Sequence, residues 1–442
     1  MHKDFHLYGT FLAAVMAGYN VNDAQDIAFA AQKVDEFGRD RAKVCYTETP
    51  MYSEVAKSIF KNCFLKNIES AFSISRTWMP FHFVPRNPVG DSLENDNSIR
   101  FACGDGTPMA EICGKLIPGG EDEGDVINLE RIGITMHVLA DSYAHQEFAG
   151  ITCYNPRIVQ NIELLYGEQK EGLGAFDHVP VWMSKILSGC CYYGHGSAGH
   201  IPDLSWAEYN YWWTGVPEIK NAENQDWRSN PDIFVAAFLR MVDVMIQIRR
   251  GRDRESEQPF QPEALLDFLM EGAGKIRRSY SNVRDWNLAV NEAEMSLPMD
   301  VIIKQRQCKA LSPDETRRYE NAKRTKIILH QYDDAGNYQA IEVTAGDLLG
   351  KTKKSNSFEE SSDTLFEQFY EAVKKPHWLS AEQLELRYED YLKDKKKDAV
   401  FEDAAVKHRA AVYHAIGIDD SGLKALLKRE FSMWMTGAEE DE

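Results

Sequence analysis

Residues 132–148 (IGITMHVLADSYAHQEF) are apolar on nearly every side when wound as a helix, yet they carry His137, Asp141 and His145. A helix that is hydrophobic almost all round belongs in an interior, so the fold must place two imidazoles and a carboxylate in its core. The three residues are spaced i, i+4, i+8. At the helical repeat they fall within about 80° of arc and point the same way. Buried histidine and aspartate need partners. A solvated polar face is the plain alternative, but Ile132, Ile134, Met136, Val138, Leu139, Tyr143 and Phe148 surround the stripe. Two imidazoles and a carboxylate are instead a donor set suited to zinc or a similar ion.

One helix supplies only three ligands. Eight of the 12 histidines lie in the first 200 residues: His2, His6, His82, His137, His145, His178, His195 and His200. His6, Asp35, His82 and His195 are the natural candidates to complete one or more sites, although a lone histidine among aromatics also reads as a hydrogen-bonded core residue. Ala24, Ala28 and Ala31 lie on or near the face that carries Asp35, so small side chains would let a partner approach that carboxylate. The chain has no His-Glu-x-x-His, Walker A loop, Gly-x-Ser-x-Gly elbow or Gly-x-Gly-x-x-Gly.

The formal net charge of −19 over 442 residues repels a phosphate backbone and disfavours a nucleic acid polymer as partner. It does not disfavour small nucleotides at a metal, which brings its own positive charge. No run of about 18 apolar residues is present, so no transmembrane segment is predicted. The start, Met1 to His6, lacks the basic end and apolar core of a secretory signal. A cytoplasmic protein, or one exported without a cleaved signal peptide, is expected. The eight cysteines include no Cys-x-x-Cys pair, and Cys190 and Cys191 are adjacent; small buried thiols are the expectation.

Hydrophobic spacing predicts a mainly α fold. Helices are expected at 6–19, at about 23–37 behind an Asn22 cap, at 52–72, from Asn128 to Phe148, at 231–250 behind Pro231, and at 262–293 and 310–323. Residues 73–125 and 190–217 read mostly as loop. Residues 325–344 read as a β-hairpin around Asp333 to Asn337, and 351–363 as a polar linker before a helical 364–435. The expected domains are 1–250 for the metal site, 251–350 for helices plus hairpin, and 364–442 for a C-terminal helical segment.

Several motifs together resemble an uncharacterised family, the domain of unknown function 6765. They are Asp4-Phe5-His6-x-Tyr8-x-Thr10, Ala31-Gln32-x-Val34-Asp35, the helix His137–His145 with Gln146, and the loop Gly194-His195 with Pro202-Asp203 and Trp206. The resemblance covers about residues 1–245. That family in turn looks like a remote relative of the zinc-dependent phospholipase C and P1 nuclease group, helical enzymes that hydrolyse phosphate esters with clustered zinc. This implies a helical metal domain of that type holding two or three Zn2+ ions, with Mn2+ or Fe as alternatives. It implies that Asp141 bridges two metals. Asp35 and His82 complete one site with His137; His6, with Asp4, serves a second; His145 and His195 serve a third. The spacing departs from that group after Asp141, where His145 comes early. Gly199 stands where the group has a carboxylate, which leaves Asp203 as the nearest one. The group also uses its mature N-terminal amine as a ligand, a role not expected of an uncleaved Met1.

The function expected from this resemblance is metal-dependent hydrolysis of a phosphate ester, phospholipase C-like, with a phospholipid as one substrate class. Asp35 and Asp141 are the expected catalytic carboxylates, Asp35 as general base. Trp78, Phe81, Tyr192, Tyr193, Trp206, Trp212 and Trp213 either line an apolar pocket or pack in the core. The alternatives are a P1-type nuclease or nucleotidase, and a metal-stabilised interaction protein or delivered toxin without phosphoesterase activity.

Overall fold

A computed structural model describes residues 1–36, 68–89, 101–117, 128–151, 158–166, 169–173, 198, 201–214, 225–249, 260–333, 335–354 and 364–436. It is mainly helical, with two small antiparallel sheets among the described residues. Two compact units are present: residues 1–164, 172–270 and 363–442 form the first, and residues 165–171 and 271–362 the second.

The first unit opens with a π-helical turn, Asp4–Gly9, which runs directly into α1, Thr10–Met16, and both are buried throughout. Helix α2 spans Val21–Glu36. Its cap is Asn20 and not Asn22: Asn20 Oδ1 accepts from the backbone N–H of Asp23 at 3.0 Å, since a cap must precede the first helical residue. Helix α3, Ile68–Phe81, has Pro80 in its last turn, and α4, Thr107–Gly114, has Pro108 in its first. Helix α4 lies within 73–125 and α3 runs into that stretch, where the prolines suggest loop. At the start of α4 a proline costs little, because the N–H it lacks there has no helical partner in any case. Residues 52–67 of the expected helix at 52–72 lie outside the described residues.

Helix α5, Leu129–Ala144, begins at Asn128, whose side chain accepts from Arg131 N as expected. It stops short of Phe148. His145 is its C-cap, and Glu147 takes a positive φ of 73°. Gly133 brings α5 against α2. A Cβ there would stand 2.6 Å from Ala30 Cβ and 2.9 Å from Ala31 N, and would overlap the carbonyl of Ile27. This close approach needs glycine, and it draws the end of α2, with Asp35, toward His137, one helical turn beyond Gly133.

A sheet that the sequence does not announce comes next: β1 Ile158–Tyr166, β2 Gln169–Leu173, β3 Glu208–Thr214 and β4 Gln225–Ser229, in the order β2-β1-β3-β4. Ile162 faces Tyr211, and Asn210 faces Trp227, in antiparallel register. The aromatic run that reads as loop is β3, where aromatic residues are favoured strand formers. Helix α6, Asn230–Arg249, leaves β4 directly, with Pro231 in its first turn. Helix α7, Pro262–Met295, begins in the first unit and ends in the second.

The second unit continues with α8 Met299–Arg306, α9 Pro313–Lys323, the hairpin β5 Lys326–Tyr332 and β6 Tyr338–Thr344, and α10 Ala345–Leu348. The hairpin is the predicted one. Asp333 Oδ1 accepts from Asn337 N at 2.8 Å, and Gly336 supplies the positive φ of the turn. The core of this unit is Ala289, Val290, Ala293, Ile327, Leu329, Ala345 and Leu348.

The chain then returns to the first unit with α11 Leu365–Val373, α12 Ala381–Lys393, α13 Lys395–Ile416 and α14 Asp420–Thr436. By sequence, residues 364–442 form a segment of their own. In the folded chain Phe401, Ala404 and Ala405 of α13 instead share one buried cluster with Ala30 and Val34 of α2, Phe81 of α3 and Ile134 of α5. Among the described residues no helix is long and apolar enough to cross a membrane.

Candidate metal centre

Four pieces of chain converge on one buried point. The turn Asp4–Gly9 brings His6, α2 brings Asp35, the end of α3 brings His82, and α5 brings His137, Asp141 and its cap His145. His82 Nδ1 lies 2.9 Å from Asp141 Oδ2 and 3.2 Å from His137 Nε2. His137 Nε2 is 3.2 Å from that same oxygen. Asp35 Oδ1 stands 3.8 Å from His137 Nε2 and 4.0 Å from His82 Nδ1. These are the edges of a small polyhedron. Four donors placed tetrahedrally around zinc are about 3.3–3.4 Å apart. Hydrogen bonding alone accounts poorly for this packing, since one proton on His82 Nδ1 cannot serve a nitrogen and a carboxylate at once.

The second oxygen of each carboxylate faces elsewhere. Asp141 Oδ1 is 3.3 Å from His6 Nε2, and Asp35 Oδ2 is 4.0 Å from the same nitrogen. The His6 ring stacks on that of His137 with centroids 3.8 Å apart. His6 is fully buried, and neither ring nitrogen has a hydrogen bond of good geometry. Such a nitrogen is costly unless something else occupies its lone pair. Asp35 and Asp141 therefore each span two donor groups, one around His82 and His137 and one around His6.

His145 and Asp203 make a third grouping. His145 Nδ1 sits 3.0 Å from the His82 carbonyl, and its Nε2 is 2.9 Å from Asp203 Oδ1. Both ring nitrogens face oxygens, and a neutral ring can donate to only one of them. The amine of Met1, which is not expected in the centre, lies 2.6 Å from Asp141 Oδ1 and 3.0 Å from Asp203 Oδ1.

The electrostatics come from this crowding. Burial works against the charge on the Met1 amine, yet Asp141, Asp203 and Asp35 outweigh it and raise the amine to about 11. Burial, the His137 ring and that amine together push His6 down to about 3, so its ring stays neutral and able to offer a lone pair. Burial opposes ionisation of Asp141, but the amine, His145, His137 and His6 hold its carboxyl well below the usual range. His6, His82, His137, Asp141, His145 and Asp203 are all buried. The Asp35 side chain is 25% exposed, so the centre opens to solvent on its side.

Asp4 is not brought into the centre. Its two oxygens accept the N–H groups of Phe366 at 2.9 Å and Glu367 at 2.8 Å, capping α11. Residues two apart on a helical turn point to nearly opposite sides, so the chain that aims His6 inward aims Asp4 outward. His195 lies outside the described residues. Trp78, Phe81 and Trp206 are buried side chains, packed as core; Phe83 stacks on His145 at 4.6 Å. Tyr192 and Tyr193, with the side chains of Trp212 and Trp213, fall outside the described part of the chain. Cys103 and Cys113 are buried as expected, and Cys308 is exposed. Burial raises the Cys103 thiol well above its ordinary value, which leaves it outside the set of anionic donors.

Sequence reasoning does not single out Arg228, Asn230 or His408, which donate to backbone carbonyls next to His145, Asp203 and His82. Asn230 directly precedes Pro231 at a helix start, and His408 stands alone on an apolar face; the first looks like a cap and the second like a core histidine.

A helical protein with a buried, carboxylate-spanned His/Asp centre is the class that these observations define. The chain belongs to a family of unknown function, DUF6765, whose model matches residues 1–416. Neither a curated protein nor a solved structure matches it.

Proposed function

We propose that this protein is a metal-dependent phosphoester hydrolase of the phospholipase C-like kind, with zinc as the favoured ion. The observation that carries this reading is the double facing of two carboxylates. Asp141 turns Oδ2 to His82 and His137 at 2.9 and 3.2 Å, and Oδ1 to His6 at 3.3 Å. Asp35 is disposed in the same way at longer range. The donors fit divalent zinc in type and spacing. His82, His137, Asp35 and Asp141 would hold one ion, and His6 with the far oxygens of Asp35 and Asp141 a second. Ions there supply Lewis acidity, which acidifies water and stabilises charge on phosphate oxygens.

The chain's own residues supply the rest. The Met1 amine and the neighbouring imidazoles favour the charged form of Asp141, and burial favours the neutral His6 ring with its lone pair. Asp35, at the solvent-facing side, is placed to take a proton from an attacking water whenever one of its oxygens is not engaged. The other described donors are buried and so held away from bulk solvent. The acidic chain favours small or lipid phosphodiesters over a polymer.

Purified protein, loaded with Zn2+ and then stripped with a chelator, is assayed against bis(p-nitrophenyl) phosphate, phosphatidylcholine vesicles and single-stranded DNA. Metal-dependent hydrolysis of the phosphodiester and the lipid is expected. Hydrolysis of DNA alone would favour the nuclease reading. Activity on none, with metal bound, would leave a metal-stabilised interaction protein or delivered toxin.

A further inference from the structure

A short piece of chain at the junction of β4 and α6 reaches behind the third ligand grouping. Arg228 is buried, and its guanidinium fork closes on the end of α5: Nη1 donates to the carbonyl of Ala144 at 3.3 Å and Nη2 to that of Gln146 at 2.6 Å. His145 lies between these two carbonyls. The last carbonyls of a helix have no helical partner, and a cation there also meets the negative end of the dipole. The rest of the guanidinium is fixed by Nε donating to Tyr211 OH at 3.0 Å, and by the faces of Tyr211 and Phe148.

Asn230 does the same for the other partner. Its Nδ2 donates to the carbonyls of Ile201 and Leu204, each at 2.8 Å, and approaches that of Pro202 at 3.4 Å. Its backbone N–H is bound by Ala207 O at 2.9 Å. These carbonyls flank the turn Ile201–Asp203, which carries Asp203. Residues 228–230 thus fix the backbone on both sides of the 2.9 Å contact between His145 Nε2 and Asp203 Oδ1. The carbonyls that Arg228 and Asn230 hold belong to the backbone around His145, at the last turn of α5, and to the backbone around Asp203.

We infer that Arg228 and Asn230 are positioning residues for a cation held with the help of His145 and Asp203, and set its affinity more than that of the ion at His82 and His137. This rests on reading the centre as metal-binding. Groups that orient ligands from behind commonly change metal affinity by about 10- to 100-fold when removed.

The test is metal stoichiometry and competition titration with a chromophoric chelator, on full-length protein and on Arg228→Lys, Arg228→Met and Asn230→Ala. His145→Ala is the reference for loss of this site. The unmodified protein should hold two or more Zn2+ ions. Each variant should lose or weaken one ion by at least about 10-fold, keep another at unmodified affinity, and add nothing to the effect of His145→Ala. Arg228→Lys retains the charge but not the fork, so it should fail to rescue. Variants that bind every ion as tightly as the parent, or that lose all ions together, would overturn the assignment. A parent chain that folds and binds no Zn2+ would sink the metal reading itself, and this inference with it.

Discussion

His408 Nε2 donates a 3.1 Å hydrogen bond to the carbonyl of Pro80, and its Nδ1 accepts from Thr135 Oγ1 at 3.3 Å. Pro80 stands two residues before His82, and Thr135 two before His137. A side chain from α13 therefore ties together the two helices that present the paired imidazoles, and the C-terminal helices are part of the machinery that sets the centre's shape.

That ring should make stability depend on pH. Burial is the main cause that pushes His408 down to about 3, while in the unfolded chain it titrates near 6.5. The unfolded state takes up the proton first, so the stabilisation is complete above about pH 6.5 and is lost as pH falls toward the folded value. Denaturant melts between pH 7.5 and 4 should show this slope. His408→Gln should flatten it by an amount on the order of 3 kcal/mol at pH 4. A variant slope equal to the parent's would mean that the ring is charged when folded.

Removal of residues 351–442 should cost the first unit its fold. Phe401, Ala404 and Ala405 fill the same cluster as Ala30, Val34, Phe81 and Ile134. Loss of three buried side chains, with the helices that carry them, threatens a net stability of only about 5–15 kcal/mol, since the cavity left by one large side chain alone costs about 2–5 kcal/mol. Circular dichroism of the truncated chain should show a molten or insoluble product; a cooperative melt like the parent's would contradict the packing described.

Asp141→Ala and His137→Ala should differ in how many ions they lose. Asp141 offers one oxygen to each donor group, whereas His137 offers the single Nε2 that lies against His82 and Asp141 Oδ2. Elemental analysis by mass spectrometry should find the larger loss in Asp141→Ala. Equal and full metal content in both would reduce α5 to a structural role.

Gly133→Ala should separate α2 from α5. The new methyl meets Ala30 Cβ and Ala31 N inside van der Waals contact, and overpacking of this kind costs about 1–3 kcal/mol. Chemical denaturation should register the loss. Zn2+ affinity should fall with it, because Asp35 is carried on the helix that moves; a destabilised protein of unchanged affinity would mean that Asp35 is not a ligand.

Asp35→Asn separates the two roles of that carboxylate. If Asp35 chiefly takes a proton, hydrolysis falls by about 100-fold or more while metal content holds. If it chiefly binds, metal content falls in the same sample. A variant with parental rate and parental metal would remove Asp35 from the site.

Much of the centre can be read from the sequence because burial and polarity collide there. His137, Asp141 and His145 sit in a segment too apolar to be anything but interior, and the alanines beside Asp35 mark a surface meant for close approach. Position along the chain is a poorer guide. Asp4 neighbours His6 in sequence and faces away from it in space. His145 looks helical, but the helix stops at Ala144. The aromatic strand β3 looks like loop, because the order of the sheet joins strands far apart in sequence. The place of α13 depends on a partner surface made by three other helices, and no local pattern encodes that.

The capping of α11 by Asp4 and the burial of α5 by α13 also bear on how the chain comes to be folded during synthesis. Polypeptide emerges from the ribosome at roughly 5–20 residues per second, so tens of seconds separate the appearance of α5 from that of the helix that covers it. Over that interval the imidazoles and carboxylates stand in water with the core unclosed. Contacts between residues so distant in sequence form late and slowly. The centre acquires its dry surroundings only once α13 has been made.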